Sequence, residues 1–335
     1  MTTRWPTTTT MLAILALTAL AGPTGAQVPE GLTGTVIVLN KQGNDASFID
    51  LMSGEIVKTL PTGPGPHELV ATSDGRAAVG TDYGGQSLTV FDVAAGRVAA
   101  TIDLGEYTRP HGIAFLPGDS LVAVTSESRG AVVIVNVRTG DLVEVLETRA
   151  SGSHMVAVTA DGSALWTGDM GSNTVTELAR GADGPIRALT APETPEAVNV
   201  TPDGSRVFAG SNATGRVTAW STADGTPTTV AEGFGWPYRI FLTPGVEQIL
   251  VPDMREEVLR FFDGDDYTEL GSIAFPGEGP QGLVLHPDGR HLFLSLSRAG
   301  RIAVVDIAER EVVGYLPAGA GPDGIAYSPL TAPRS

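Results

Sequence analysis

Residues 110–119 read PHGIAFLPGD: a proline, a polar residue, a short apolar stretch and a tight turn. The same phrase returns as PHELVATSDG from Pro66, SHMVAVTADG from Ser153 and PEAVNVTPDG from Pro195. PYRIFLTPGV from Pro237, PQGLVLHPDG from Pro280 and PDGIAYSP from Pro322 bring the set to seven. Successive starts are 44, 43, 42, 42, 43 and 42 residues apart, and a fixed period of this size marks a repeat architecture. Within one period, from Pro110 to Gly152, the segments GIAFLP, SLVAVTSES, AVVIVNVRTG and DLVEVLETR are rich in Val and Ile. Each is bounded by Gly, Pro, Asp or Asn, as strands are. Asp-Gly pairs at 74–75, 161–162, 203–204 and 288–289 supply the positive φ that a tight hairpin demands. No stretch sustains a helical period. Four short antiparallel strands per repeat predict one propeller blade per repeat.

The two ends complete the count. Six full periods run from Pro66 to Gly321, leaving one strand, Gly324 to Pro329, at the C-terminus. At the N-terminus, TVIVLN, ASFIDLMSG and EIVKTLPTG match the second, third and fourth strands of a repeat. One strand plus three makes a seventh blade and pairs edges that would otherwise lie open. The expectation is an all-β, seven-bladed propeller forming a single domain over residues 27–335.

Composition removes several function classes. The 335 residues contain no cysteine, which excludes disulfides, thiolate metal sites, cysteine nucleophiles and covalent haem. A formal charge of −17 argues against nucleic acid as a partner, since that affinity comes mainly from Lys and Arg on phosphates. No glycine-rich segment opens a helix, so neither a nucleotide nor a flavin is expected. Residues 1–26 carry Arg4 as their only charge, the apolar run Met11 to Ala21, and small residues before Ala26. This reads as a secretory signal cleaved near Ala26. Its apolar core is too short for a membrane anchor, which needs roughly 20 residues. A periplasmic or secreted protein is expected.

The phrases P-H-G-I-A-F and T-P-D-G, with the V-x-V-N-x-x-T-G turn at residues 133–140, resemble the YncE-like, YVTN-repeat seven-bladed propellers of bacterial envelopes. The resemblance spans the chain from residue 27 onward. It implies the fold and leaves function open, because propellers host unrelated activities.

Repeat alignment places side chains before any coordinates are seen. The first strand of a blade lines the central channel, so the residues opening it form a ring at one mouth: His67, His111, His154, Glu196, Tyr238, Gln281 and Asp323. The far end of the second strand returns to the same face, giving Asn40, Asp82, Ser126, Asp169, Ser211, Asp253 and Leu296. Linkers add Glu106, Tyr107, Arg109, Phe234, Trp236 and Arg239. Three imidazoles beside carboxylates suit one divalent transition metal (Zn, Cu or Fe), with His67, His111 and His154 as ligands and an open position left over. Histidines that merely cap strand ends, and aspartates that merely form turns, are the competing reading.

Two functions stay open. The first is a binding or scaffold protein of the envelope, taking a small molecule or an envelope protein at this mouth through Asp82, Tyr107, Trp236, Tyr238, Arg239, Asp253, Gln281 and Asp323. The second is a metal-dependent hydrolase, lyase or oxidase on the three histidines, with Glu196 or Asp169 as general base.

Overall fold

Each repeat folds into one four-stranded antiparallel sheet, and there are seven. A computed structural model describes residues 28–334; the signal peptide expected over residues 1–26 lies outside the described residues. Blade one contains both ends of the chain: Thr35–Asn40 pairs with Asp45–Asp50 on one side and with the C-terminal strand Pro322–Ser328 on the other. Glu55–Pro61 is its outer strand. The six following blades begin with Pro66–Ala71, Pro110–Phe115, Ser153–Val158, Pro195–Val200, Phe241–Leu242 and Pro280–Leu285. The all-β assignment, the blade count and the shared closing blade are as the repeat spacing predicts.

Sheets of this kind are buried on both faces except at the outer strand. Seven apolar clusters fill the wedges between neighbouring blades. Phe48 of blade one meets Phe91 of blade two edge to face at 5.6 Å, a favoured aromatic arrangement. Trp166 and Trp220 lie in the wedge between blades four and five. The Asp-Gly turns behave as expected, with φ between 66° and 71° at Gly75, Gly162, Gly204 and Gly289.

Two features of the inner strands position the site. The register slips just after the opening residue in six blades, between Pro66 and Leu69, Pro110 and Ile113, Ser153 and Met155, Pro195 and Ala197, Pro280 and Leu283, and Pro322 and Ile325. Such bulges bend a strand and re-aim its side chains. Where the bulge breaks the ladder, a hydroxyl from the second strand takes the freed amide: Thr81 accepts from Glu68 N, Thr125 from Gly112 N, and Ser295 from Gly282 N. Blade six differs. Its regular inner strand is only two residues, Phe241–Leu242, preceded by one isolated bridge from Pro237 to Asp253.

Candidate functional site

The bulges turn the opening residues inward, and the ring read from the repeats closes on itself. His67, His111, His154, Glu196, Tyr238, Gln281 and Asp323 are all buried. Asp323 Oδ2 lies 2.5 Å from His67 Nδ1, and its carboxylate accepts from Tyr238 Oη at 3.1 Å. His111 sits against both neighbouring imidazoles, with ring centroids 4.2 Å from His67 and 3.5 Å from His154. Glu196 Oε1 stands 3.8 Å from His154 Nε2, while its other oxygen accepts from Trp236 Nε1 at 3.1 Å and from Asn212. Gln281 Nε2 reaches Met254 Sδ at 3.2 Å.

The second ring does not reach the mouth surface. Asp82 is fully buried and held by Gly63 N, Ser87 Oγ and Thr89 Oγ1. Asp169 accepts from four hydroxyls, those of Ser153, Thr167, Thr174 and Thr176. Asp253 takes the amides of Gly235, Trp236, Arg255 and Glu256. These groups peg blade to linker, and with its oxygens committed Asp169 has no lone pair left for a general base. Burial raises the carboxyls of Asp82 and Asp169, outweighing the hydroxyl hydrogen bonds that pull them down. Two linker residues also fall elsewhere: Tyr107 and Phe234 pack into wedges between blades. Glu106 pairs with Arg129 at the surface.

What the reading missed lies one residue further on. Lys41, Tyr83, Glu127, Asn212 and Met254 each follow a member of the second ring, and all five make contacts at the mouth. Successive side chains on a strand point to opposite faces, so a single step exchanges a blade peg for a channel group. Lys41 Nζ lies 2.8 Å from His67 Nε2. Glu127 Oε2 lies 2.8 Å from His154 Nδ1, takes a 3.0 Å hydrogen bond from Tyr83 Oη, and pairs through Oε1 with Arg109 at 2.9 Å. Glu68, also unremarked in the sequence, reaches across the channel from blade two to Arg239 of blade six. His286 and His291, at the opposite end of their blade, are largely covered and lie 3.2 Å and 2.6 Å from the Asp288 carboxylate.

Electrostatically the mouth is a dense mixture held by burial. Burial drives His111 well below the usual imidazole range, with His154 and His67 adding repulsion. Burial likewise lowers His67 and Lys41 and raises Glu196, while Tyr238 is pushed well up. Burial lowers Arg239 to about 10. Burial pushes Asp323 up, but His67, Lys41 and Arg239 outweigh it and hold the carboxyl low.

The ligand geometry differs from three histidines on one ion. The ligating atoms of His67, Glu68 and His111 lie within 4.8 Å of one another. His154 is on the other flank of His111 and is engaged by Glu127. Both ring nitrogens of His111 are buried without a hydrogen-bond partner. Glu127 against His154 Nδ1 forms a carboxylate–imidazole pair of the kind seen behind metal-binding histidines, while Asp323 lies beside His67 Nδ1 without a hydrogen bond to it.

No family model matches the chain, and no curated protein sequence does. Solved structures do. The chain is similar to the Kuenenia stuttgartiensis hydrazine synthase, with a TM-score of 0.70 and 15% identity over 81% of this chain and 91% of that one. It is also similar to a functionally unknown protein from Desulfotomaculum acetoxidans DSM 771, with a TM-score of 0.74 and 18% identity over 88% and 99% of the two chains. Likeness at this identity shows the seven-bladed fold alone.

Proposed function

We propose that this chain is an exported, YncE-like binding protein of the cell envelope whose channel mouth holds a divalent transition metal, and through it a small molecule or partner protein. The fold itself supports a binding or scaffold role. Export rests on the composition of residues 1–26, and the family on the repeat phrases.

The metal reading is carried by His111. An imidazole with no exposed surface and two partnerless nitrogens forfeits about 1–3 kcal/mol for each polar atom left unsatisfied. A bound ion removes that penalty, and the depressed pKa keeps the ring in the neutral form that ligates. His67, His111 and Glu68 then make a two-histidine, one-carboxylate set, which suits zinc or ferrous iron and leaves positions open. His67 approaches Glu68 through Nδ1 at 3.8 Å, while Lys41 occupies its Nε2 side. A second reading, a metal-dependent enzyme, is favoured by Glu196, whose carboxyl is raised by burial 3.8 Å from His154 Nε2. That group could serve as general base; Asp169 could not.

Elemental analysis of untagged protein, followed by zinc, copper and iron titration of chelator-treated protein, tests the proposal. Stoichiometric metal and a melting temperature raised by the ion support it. At an ion concentration one hundred times Kd, the gain is about 2.7 kcal/mol. Metal-free protein with unchanged melting overturns it.

A further inference from the structure

Glu68 faces two demands. It is the counter-ion of Arg239, whose Nη2 it meets across the channel, with the two side chains 12% and 10% exposed. It also belongs to the cluster with His67 and His111. Asp323 also acts on Arg239 through its charge, but its short contacts go to His67 and Tyr238, so Glu68 is the carboxylate in direct contact with the guanidinium. Arg239 leans on its own neighbour: Nη1 donates to Tyr238 O at 2.6 Å, and the guanidinium lies 4.1 Å over the Tyr238 ring. These contacts keep it on the blade-six side of the channel.

Glu68 and Arg239 line a partly open cavity of ≈ 350 Å³ between the inner strands. Its lining is mixed: Leu69, Ile113, Val156, Val198, Ile240 and Leu283 from six blades supply aliphatic surface, and Asn199 joins Glu68 and Arg239 as a polar side chain. Its size lies at the lower end of the range for small-molecule sites. A cavity whose lining combines a guanidinium with aliphatic side chains can take a carboxylate carrying a short aliphatic chain.

Resting on the metal reading, we propose that metal and anion bind cooperatively through Glu68. An ion at His67 and His111 draws the Glu68 carboxylate away from Arg239. The buried guanidinium left behind keeps the field of Asp323 but loses its direct carboxylate contact, which is destabilising. An aliphatic carboxylate entering the cavity restores that contact and packs against the aliphatic side chains. By linkage, the anion then favours the metal by the same factor.

Calorimetric titration of the intact chain with zinc and with octanoate tests this. Octanoate tightens zinc binding about tenfold or more, within the usual range of such couplings, and zinc tightens octanoate binding equally. Acetate, with no chain to fill the cavity, does so far less. Glu68→Gln, which frees Arg239 permanently, binds octanoate without zinc and binds zinc weakly. Arg239→Gln binds zinc but shows no coupling, which separates this mechanism from direct octanoate coordination to the ion. Circular dichroism melts establish that both variants are folded. Equal zinc affinity with and without octanoate overturns the coupling and means that Glu68 serves both cations with its two oxygens. Absence of zinc binding in the parent defeats the metal reading and the coupling together. Octanoate binding by zinc-free Glu68→Gln then still decides the anion site at Arg239, and a folded Glu68→Gln that ignores octanoate overturns that site.

Discussion

At the scale of single residues, the mouth is organised around one imidazole that gains nothing from its protein neighbours. His111 touches two other rings and hydrogen-bonds to neither. Replacing it by leucine removes two buried unsatisfied nitrogens. The His111→Leu protein is therefore expected to be at least as stable as the metal-free parent in urea unfolding, by about 1 kcal/mol, and to lose the stabilisation by zinc. A capping role predicts the opposite, a loss of stability. The candidate ring was legible because a side chain at a fixed repeat position must share a fixed place on the wheel. Glu68, Lys41 and Glu127 were not, because legibility stops at the strand end. There one residue of offset swaps the two faces, and Asp82 is as plausible in sequence as Tyr83. Charge attracted attention to Asp82, Asp169 and Asp253, whereas hydroxyl neighbours at Ser87, Thr89, Thr174 and Thr176 were the sign that these acids are pegs.

At the scale of elements, hairpin and wedge carry the stability. In the Thr-x-Asp-Gly-Ser hairpins, the amide of Ser163, with the Ser163 and Thr159 hydroxyls, lowers Asp161 to about 2. The Thr201 hydroxyl, then the amide and hydroxyl of Ser205, do the same for Asp203. A folded pKa below the unfolded 3.8 means that the unfolded chain binds more protons in that window. Stability from these turns is thus complete above about pH 4 and is lost as the pH falls toward about 2. Asp203→Asn, which does not titrate, is expected to show a shallower fall in urea midpoint across the same interval. In the wedges, Phe48 is fully buried against Phe91. Phe48→Ala is expected to cost about 3–5 kcal/mol in denaturant unfolding, far more than Met52→Ala on the exposed turn nearby. Strands, turns and wedges were all readable, since alternation and Asp-Gly pairs are local signals. The bulges were not, because nothing in Pro-His-Gly announces a slipped register.

At the scale of the whole molecule, closure depends on a single strand from the far end of the chain. Pro322–Ser328 is the innermost strand of blade one and brings Asp323 to the mouth. Past it, Leu330 O accepts from Thr35 Oγ1, and Ala332 is buried. A chain ending at Gly321 is expected to lose cooperative melting and to bind a hydrophobic dye, because an unpaired inner edge and an open wedge remain. A circular permutant that begins at Pro66 and joins the native ends by a short linker keeps every pairing and is expected to melt cooperatively. The two-residue inner strand of blade six carries a further consequence. With so few ladder bonds, the stretch bearing Tyr238 and Arg239 is the spoke that loosens first. Its amides should exchange with deuterium ahead of those in the other six inner strands. Traffic between the mouth and the cavity then passes through this sector, and breathing there sets how fast a guest can enter or leave.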